Sequence, residues 1–280
     1  MPEDPLVSTD WLAEHLQAPD IKLVDASWYL PSEERDPKAE YAAAHIPGAV
    51  FFDIDEISAD DTDLPHMLPP PAKFASRAMK LGLGDGARIV VYDGWGVRAA
   101  ARVWWTLRVM GHEDVVVLDG GLPKWIAEGR PVTDRIPEAQ KRHFTVRLAN
   151  DLVRDRSQVA RSLETKREQV VDARPAARFR GEAAEPRPGL KAGHMPGAFN
   201  VPMSEMLAPN GVMKSKEALA EVFAQAGVDV KKPIVTSCGS GITACVLALG
   251  LARLGRWRTA VYDGSWAEWG GADGAPVVTG

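Results

Sequence analysis

Residues 87–105, ARIVVYDGWGVRAAARVWW, and residues 232–250, KPIVTSCGSGITACVLALG, read as one pattern written twice. Each passes from a short β-branched run through a glycine-containing turn into a stretch with helical character, and the match sets Asp93 opposite Cys238. The correspondence extends outward in both directions. KLVDASWYL around Asp25 returns as QVVDARPAARF around Asp172, and AAHIPGAVFFDIDEI at His45 returns as AGHMPGAFNVPMSEM at His194. Downstream, VVVLDGGLPKW and TAVYDGSWAEW pair Asp119 with Asp263 and Trp125 with Trp269. Landmarks that keep their order at nearly constant spacing indicate two copies of one domain.

The chain has 280 residues, enough for two domains of about 140 each. The expected domains are residues 5–135 and 150–280, with the boundary between Pro131 and about Asn150. Within each copy, near-continuous apolar runs alternate with amphipathic segments. The runs are Leu23–Asp25, Ile89–Tyr92 and Val115–Leu118, then Val170–Asp172, Ile234–Thr236 and Thr259–Tyr262. Such runs predict parallel strands buried on both faces, hence an α/β fold in which each domain is a mostly parallel sheet flanked by helices. Residues Thr243–Leu254 predict a helix that ends at Gly255.

Hydrophobic residues make up 45% and charged residues 25% of the sequence, an ordinary soluble composition. The net charge of −5 and the lack of a basic run argue against nucleic acid as a partner. The opening MPEDPLVSTDWLAEHL does not read as a signal peptide, and no run of about 18 apolar residues marks a membrane span. The expected location is the cytoplasm, with no membrane partner. The two cysteines, Cys238 and Cys245, would stand about 10 Å apart on a helix, beyond disulfide reach. They read as thiols. The histidines have no metal-ligand spacing and GLGDGA at residues 82–87 precedes a strand, so no metal and no cofactor is expected.

Open α/β sheets place their sites at the carboxyl ends of strands, where Asp93 and Cys238 fall. In SCGSGITA, residues 237–244, the N–H groups at the helix start point into the turn and form an anion site, which stabilises a thiolate at Cys238. Gly239 and Gly241 let the turn curl tightly around the sulfur. Ser240 supplies a hydroxyl for a departing group. Cys245 falls inside the helix and reads as a small buried hydrophobe. Cysteine phosphatases share this strand–loop–helix arrangement, but they close the loop with an arginine where this chain has Ala244, so the clamp on a phosphate dianion is missing.

These motifs resemble the tandem-domain sulfurtransferases, the family of rhodaneses and 3-mercaptopyruvate sulfurtransferases. The resemblance spans nearly the whole chain and rests on DASWYLP, HIPGAVFFDID, HMLP, RVWW and LDGG in the first half. In the second half it rests on DARPAARFRG, GHMPGAFNVP, CGSGITAC and YDGSWAEW. It implies an inactive first domain, with Asp93 in the cysteine position, and a second domain in which Cys238 accepts sulfur as a persulfide. Thiosulfate-using members carry basic residues in the loop, whereas Cys-Gly-Ser-Gly here is similar to the mercaptopyruvate subfamily. The resemblance implies a donor carboxylate bound by Arg178 and Arg187 beside a loop of Gly239, Gly241, Ile242 and Thr243. It also implies a relay of Asp55, His66 and Ser240, with Asp55 and His66 coming from the first domain. Sulfur would pass from 3-mercaptopyruvate to a thiol acceptor, such as thioredoxin or a small thiol, or to cyanide, with release of pyruvate. A thiosulfate:cyanide sulfurtransferase and a non-catalytic persulfide carrier stand as alternatives. His45 and His194 recur in both copies and read as structural. Residues 181–193, GEAAEPRPGLKAG, read as an exposed flap over the site.

Overall fold

A computed structural model describes residues 2–280. The chain folds as two compact units. One comprises residues up to 59, 69–149 and 209–213, and the other residues 60–68, 150–208 and 214–280. The units therefore differ from the two continuous stretches expected from the repeat, because each takes in a short segment from the other half. Equivalent carboxylates hold both segments. The Met213 N–H donates to Asp119 Oδ1 (2.8 Å) in the first unit, and the Leu68 N–H donates to Asp263 Oδ2 (2.8 Å) in the second. The resemblance put His66 in the first domain; the structure places it in the second unit.

The first unit runs β1 (Leu6–Val7), α1 (Thr9–His15), β2 (Ile21–Asp25), α2 (Pro37–Ala43), β3 (Val50–Phe51) and α3 (Ile54–Ile57). It continues with α4 (Pro71–Lys80), β4 (Arg88–Tyr92), α5 (Arg98–Val109), β5 (Val115–Leu118) and α6 (Gly121–Ala127). The second runs β6 (Val153–Arg154), α7 (Arg156–Thr165), β7 (Gln169–Asp172), α8 (Ala176–Phe179), β8 (Phe199–Asn200) and α9 (Lys216–Gln225). It ends with β9 (Ile234–Ser237), α10 (Ala244–Arg253), β10 (Ala260–Tyr262) and α11 (Ser265–Trp269).

Each unit holds a five-stranded sheet, ordered β1-β5-β4-β2-β3 and β6-β10-β9-β7-β8. All pairings are parallel. The six predicted strands are the inner ones, and β4, β5 and β10 carry the buried valines and tyrosines that made them legible. The helices begin where short polar side chains cap them. Ser8 caps α1, Asp36 caps α2, and Asp155 with Gln158 forms a capping box at α7. Helix α10 lies almost wholly buried and stops one residue before Leu254, with Gly255 beyond it at φ 83°.

The repeated tryptophans end each core in the same way. Trp125 Nε1 donates to the Pro131 carbonyl (2.8 Å) and Trp269 Nε1 to the Pro276 carbonyl (2.9 Å). The repeated histidines pin strand-like segments. His45 pairs through its backbone with Thr133 and stacks on Tyr41, while His194 pairs with Val278 and stacks on Phe179.

Asp25, at the carboxyl end of β2, is buried. Burial pushes its carboxyl up to about 6, against hydrogen bonds from Ser27 and Tyr92 that favour the charged form. The folded state therefore binds this proton more tightly than the unfolded chain does. Stability gained from the group is present at low pH and lost as pH rises through about 6. Asp25→Asn is expected to remove this dependence. The difference in urea-unfolding stability between variant and wild type should change by on the order of 2 kcal/mol from pH 4.5 to pH 7.5, favouring the variant at the higher pH.

Candidate active site

The turn between β9 and α10 is fastened from below by the turn between β10 and α11. The Cys238 N–H donates to Ser265 Oγ (3.2 Å), whose own hydroxyl donates to the Tyr262 carbonyl (2.8 Å). The N–H groups of Trp266 and Ala267 in turn donate to the carbonyls of Cys238 and Gly239, each at 2.9 Å. Ser265 adopts φ 51°, an unusual conformation for a residue with a side chain, and this places its hydroxyl under the cysteine. Gly241 sits at φ 78°, as the curl of the loop requires, and its carbonyl accepts from Cys245 Sγ (3.1 Å). Cys245 is therefore buried on α10, as expected, and also braces the loop. Cys238 is 1% exposed, with Ser240 and Ile242 also buried.

The same turn in the first unit shows what such a loop accommodates. Asp93 is wholly buried, and its Oδ1 accepts from the N–H groups of Trp95 (2.8 Å) and Gly96 (2.7 Å) while Oδ2 accepts from Ala100 (2.7 Å). Burial raises its carboxyl, and these backbone donors act in the opposite sense. The carboxyl side chain in this turn is held by main-chain N–H groups, without a cation in the loop. The repeat sets Cys238 at that position and Ser240 and Gly241 opposite Trp95 and Gly96.

Arg178, on α8, stands against the cysteine loop: a Cβ built on Gly239 would lie 3.3 Å from its Nη2. Its Nε is buried and has no hydrogen-bond partner among the described residues. Nη2 is paired with Glu185 Oε2, and Glu185 Oε1 accepts from Arg174 Nη1 (2.7 Å). Arg174 is almost fully buried. It donates to Asp172 Oδ2 from both Nε (2.9 Å) and Nη2 (2.7 Å) and to the Gly193 carbonyl (2.9 Å), and lies 4.0 Å over the Trp266 ring. Asp172, Arg174, Glu185 and Arg178 thus form a continuous charged chain from the end of β7 to the loop.

Arg187 Nη2 lies 3.3 Å from His66 Nε2. A guanidinium only donates, so Nε2 is the acceptor in this contact. His66 is buried at φ 62°. Asp55, on α3 of the first unit, accepts from Trp28 Nε1 (3.0 Å).

The rhodanese-like domain family matches residues 8–128 and 155–272, one match to each copy of the repeat. This chain belongs to the rhodanese-like family. It is 44% identical to the mitochondrial thiosulfate/3-mercaptopyruvate sulfurtransferase 1 of Arabidopsis thaliana, over 98% of this chain and 78% of that protein. It is 42% identical to the 3-mercaptopyruvate sulfurtransferase of Escherichia coli (strain K12), over 97% and 96%. The crystal structure of the Escherichia coli 3-mercaptopyruvate sulfotransferase SseA superposes with a TM-score of 0.86 at 40% identity, covering 95% of this chain and all of that one.

Several residues of this rhodanese-like site escaped the sequence reading. Arg174 stands where the first copy has Ser27, a difference within the repeat that could have drawn attention to it. Ser265 and Trp266 follow the repeated Asp-Gly, yet nothing local to them points at a loop some 27 positions upstream. The stretch 181–193 is not simply an exposed flap, because the Glu185 side chain is 2% exposed and ties it to two arginines.

Asp93→Asn is expected to cost about 1–3 kcal/mol in urea unfolding, since a side-chain NH2 would then face backbone donors where an oxygen accepted. Equal stability of variant and wild type would mean that the loop does not depend on an anion.

Proposed function

We propose that the protein transfers sulfur from 3-mercaptopyruvate through a persulfide on Cys238 to a thiol acceptor, releasing pyruvate. The observation that carries this reading is the position of Cys238, in the same turn whose other copy cradles the Asp93 carboxylate with backbone N–H groups. A thiolate, and then a persulfide, is the anion that this turn would hold in the second unit. The relatives named above support the donor class.

The donor's carboxylate pairs with Arg178 and Arg187, a guanidinium fork being suited to carboxylate geometry. The Cys238 thiolate attacks the donor sulfur, an S–S bond forms, and the C–S bond breaks with its electron pair passing to the pyruvate enolate. The enolate takes up a proton and leaves as pyruvate. Gly239, Gly241, Ile242 and Thr243 shape the pocket around the transferred sulfur. Ser240, His66 and Asp55 are assigned to the proton-handling relay. The acceptor's thiolate then attacks the outer sulfur and frees Cys238. Thioredoxin or a small thiol fills that role, and cyanide does so in vitro.

The chemistry uses side chains alone, with no metal or organic cofactor assigned. We place the protein in the cytoplasm, away from membranes; among the described residues no helix is long and apolar enough to cross one. A second reading, thiosulfate as the donor, is favoured by the Arabidopsis relative whose name includes both donors.

The test is pyruvate release with 3-mercaptopyruvate and a thiol acceptor, run beside thiosulfate with cyanide. Wild type is expected to prefer mercaptopyruvate, and Cys238→Ser to lose turnover by at least about 1,000-fold. Preference for thiosulfate would overturn the donor assignment, and turnover with neither would leave a persulfide carrier. Arg178→Lys and Arg187→Lys are expected to raise KM for mercaptopyruvate about tenfold or more through loss of the planar fork. A purely proton-handling His66 would instead show its effect in kcat when replaced by Gln.

A further inference from the structure

We infer that Glu185 sets donor specificity at this site by cancelling charge: it makes Arg178 a receptor for a monoanionic donor and disfavours a dianionic one. This inference rests on the function proposed above and concerns the same loop. Glu185 belongs to the stretch that composition alone marks as exposed, yet its carboxylate is 2% exposed and bridges two guanidiniums. One of these, Arg174, is fixed from several sides by Asp172, Gly193 and the Trp266 ring. The other, Arg178, reaches the loop beside Gly239. Glu185 is therefore the link through which the rigid end of β7 holds Arg178 in place.

The charges in this chain of side chains balance: Asp172 and Glu185 are negative, Arg174 and Arg178 positive. Arg178 consequently meets a donor with much of its field already offset by the carboxylate behind it. In a buried setting that offset is little weakened by solvent or salt. The loop adds no side-chain charge, since Cys238, Gly239, Ser240 and Gly241 are all uncharged. What remains suits a single carboxylate that can share the Arg178 donors, with Arg187 as the second cation. A thiosulfate-like dianion would bring one negative charge more than this arrangement offsets. The discrimination that a thiosulfate-specific loop achieves with added cations would be reached here by an internal anion.

Full-length Glu185→Gln and Glu185→Asp are compared with wild type in steady state, with cyanide as the common acceptor and mercaptopyruvate or thiosulfate as donor. Glu185→Gln, which keeps the shape and removes the charge, is expected to raise kcat/KM for thiosulfate while mercaptopyruvate holds or falls. The donor ratio should move about tenfold toward thiosulfate, a shift equivalent to about 1.4 kcal/mol. Glu185→Asp, which keeps the charge, should retain the wild-type ratio. A gain with the dianion is not what loosened packing produces. Parallel loss with both donors would overturn the inference and reduce Glu185 to scaffolding.

A measurement on wild type stands independently of whether the variants fold. Pyruvate, a monoanion, should inhibit mercaptopyruvate turnover at concentrations about tenfold lower than sulfate, a non-reacting dianion. Equal inhibition by the two would overturn the charge argument. A wild-type enzyme that turns over mercaptopyruvate but fails these comparisons loses only the role of Glu185, whereas one inactive with both donors loses the proposed function itself.

Discussion

Backbone N–H groups at the start of a helix have no partner within it, and when the helix start is buried they must find an acceptor close by. Both units of this protein are organised around that demand at the end of their central strands. In the first, the Asp93 carboxylate meets it with bonds from Trp95, Gly96 and Ala100. In the second, Cys238 occupies the corresponding place, and under the proposed function the same donors would face its sulfur. The parallel sheets, the buried helices α5 and α10 and the turns after β5 and β10 serve to hold these two turns in shape.

The two copies also differ in how much charge they place around that turn. The second adds a buried chain of alternating carboxylates and guanidiniums running from Asp172 to Arg178. Burying such groups is costly unless every charge is paired. Arg174 meets that condition through two carboxylates, a carbonyl and an aromatic face. The return is positional: a long, flexible arginine on a four-residue helix acquires a fixed place beside Gly239.

Much of this was legible in the amino-acid order, and for identifiable reasons. The repeat showed itself because Pro-Gly-Ala after His45 and His194, and Asp-Gly after β5 and β10, are turn signals with little freedom to vary. The inner strands were legible because burial on both faces demands unbroken apolar runs. The two-residue strands β1, β3, β6 and β8 were not, since two residues carry no periodicity. Cys238 stood out by its local context, whereas Glu185 and Ser265 act through neighbours that only the tertiary fold supplies. The affiliation of His66 was misplaced for the same reason: its position in the sequence lies in the first half, and its partner Arg187 lies in the second.

The exchanged segments carry a consequence for how the chain is made. The first unit includes residues 209–213, held through Asp119, so it is not complete when its own half of the sequence has been synthesised. At the roughly 5–20 residues per second of translation, several seconds pass between the emergence of residue 149 and that of Met213. During that interval the first unit exists without its last piece while the second is still being extended. The gene's two halves therefore encode a single folding problem, and neither half, produced alone, contains all the residues that make up either compact body.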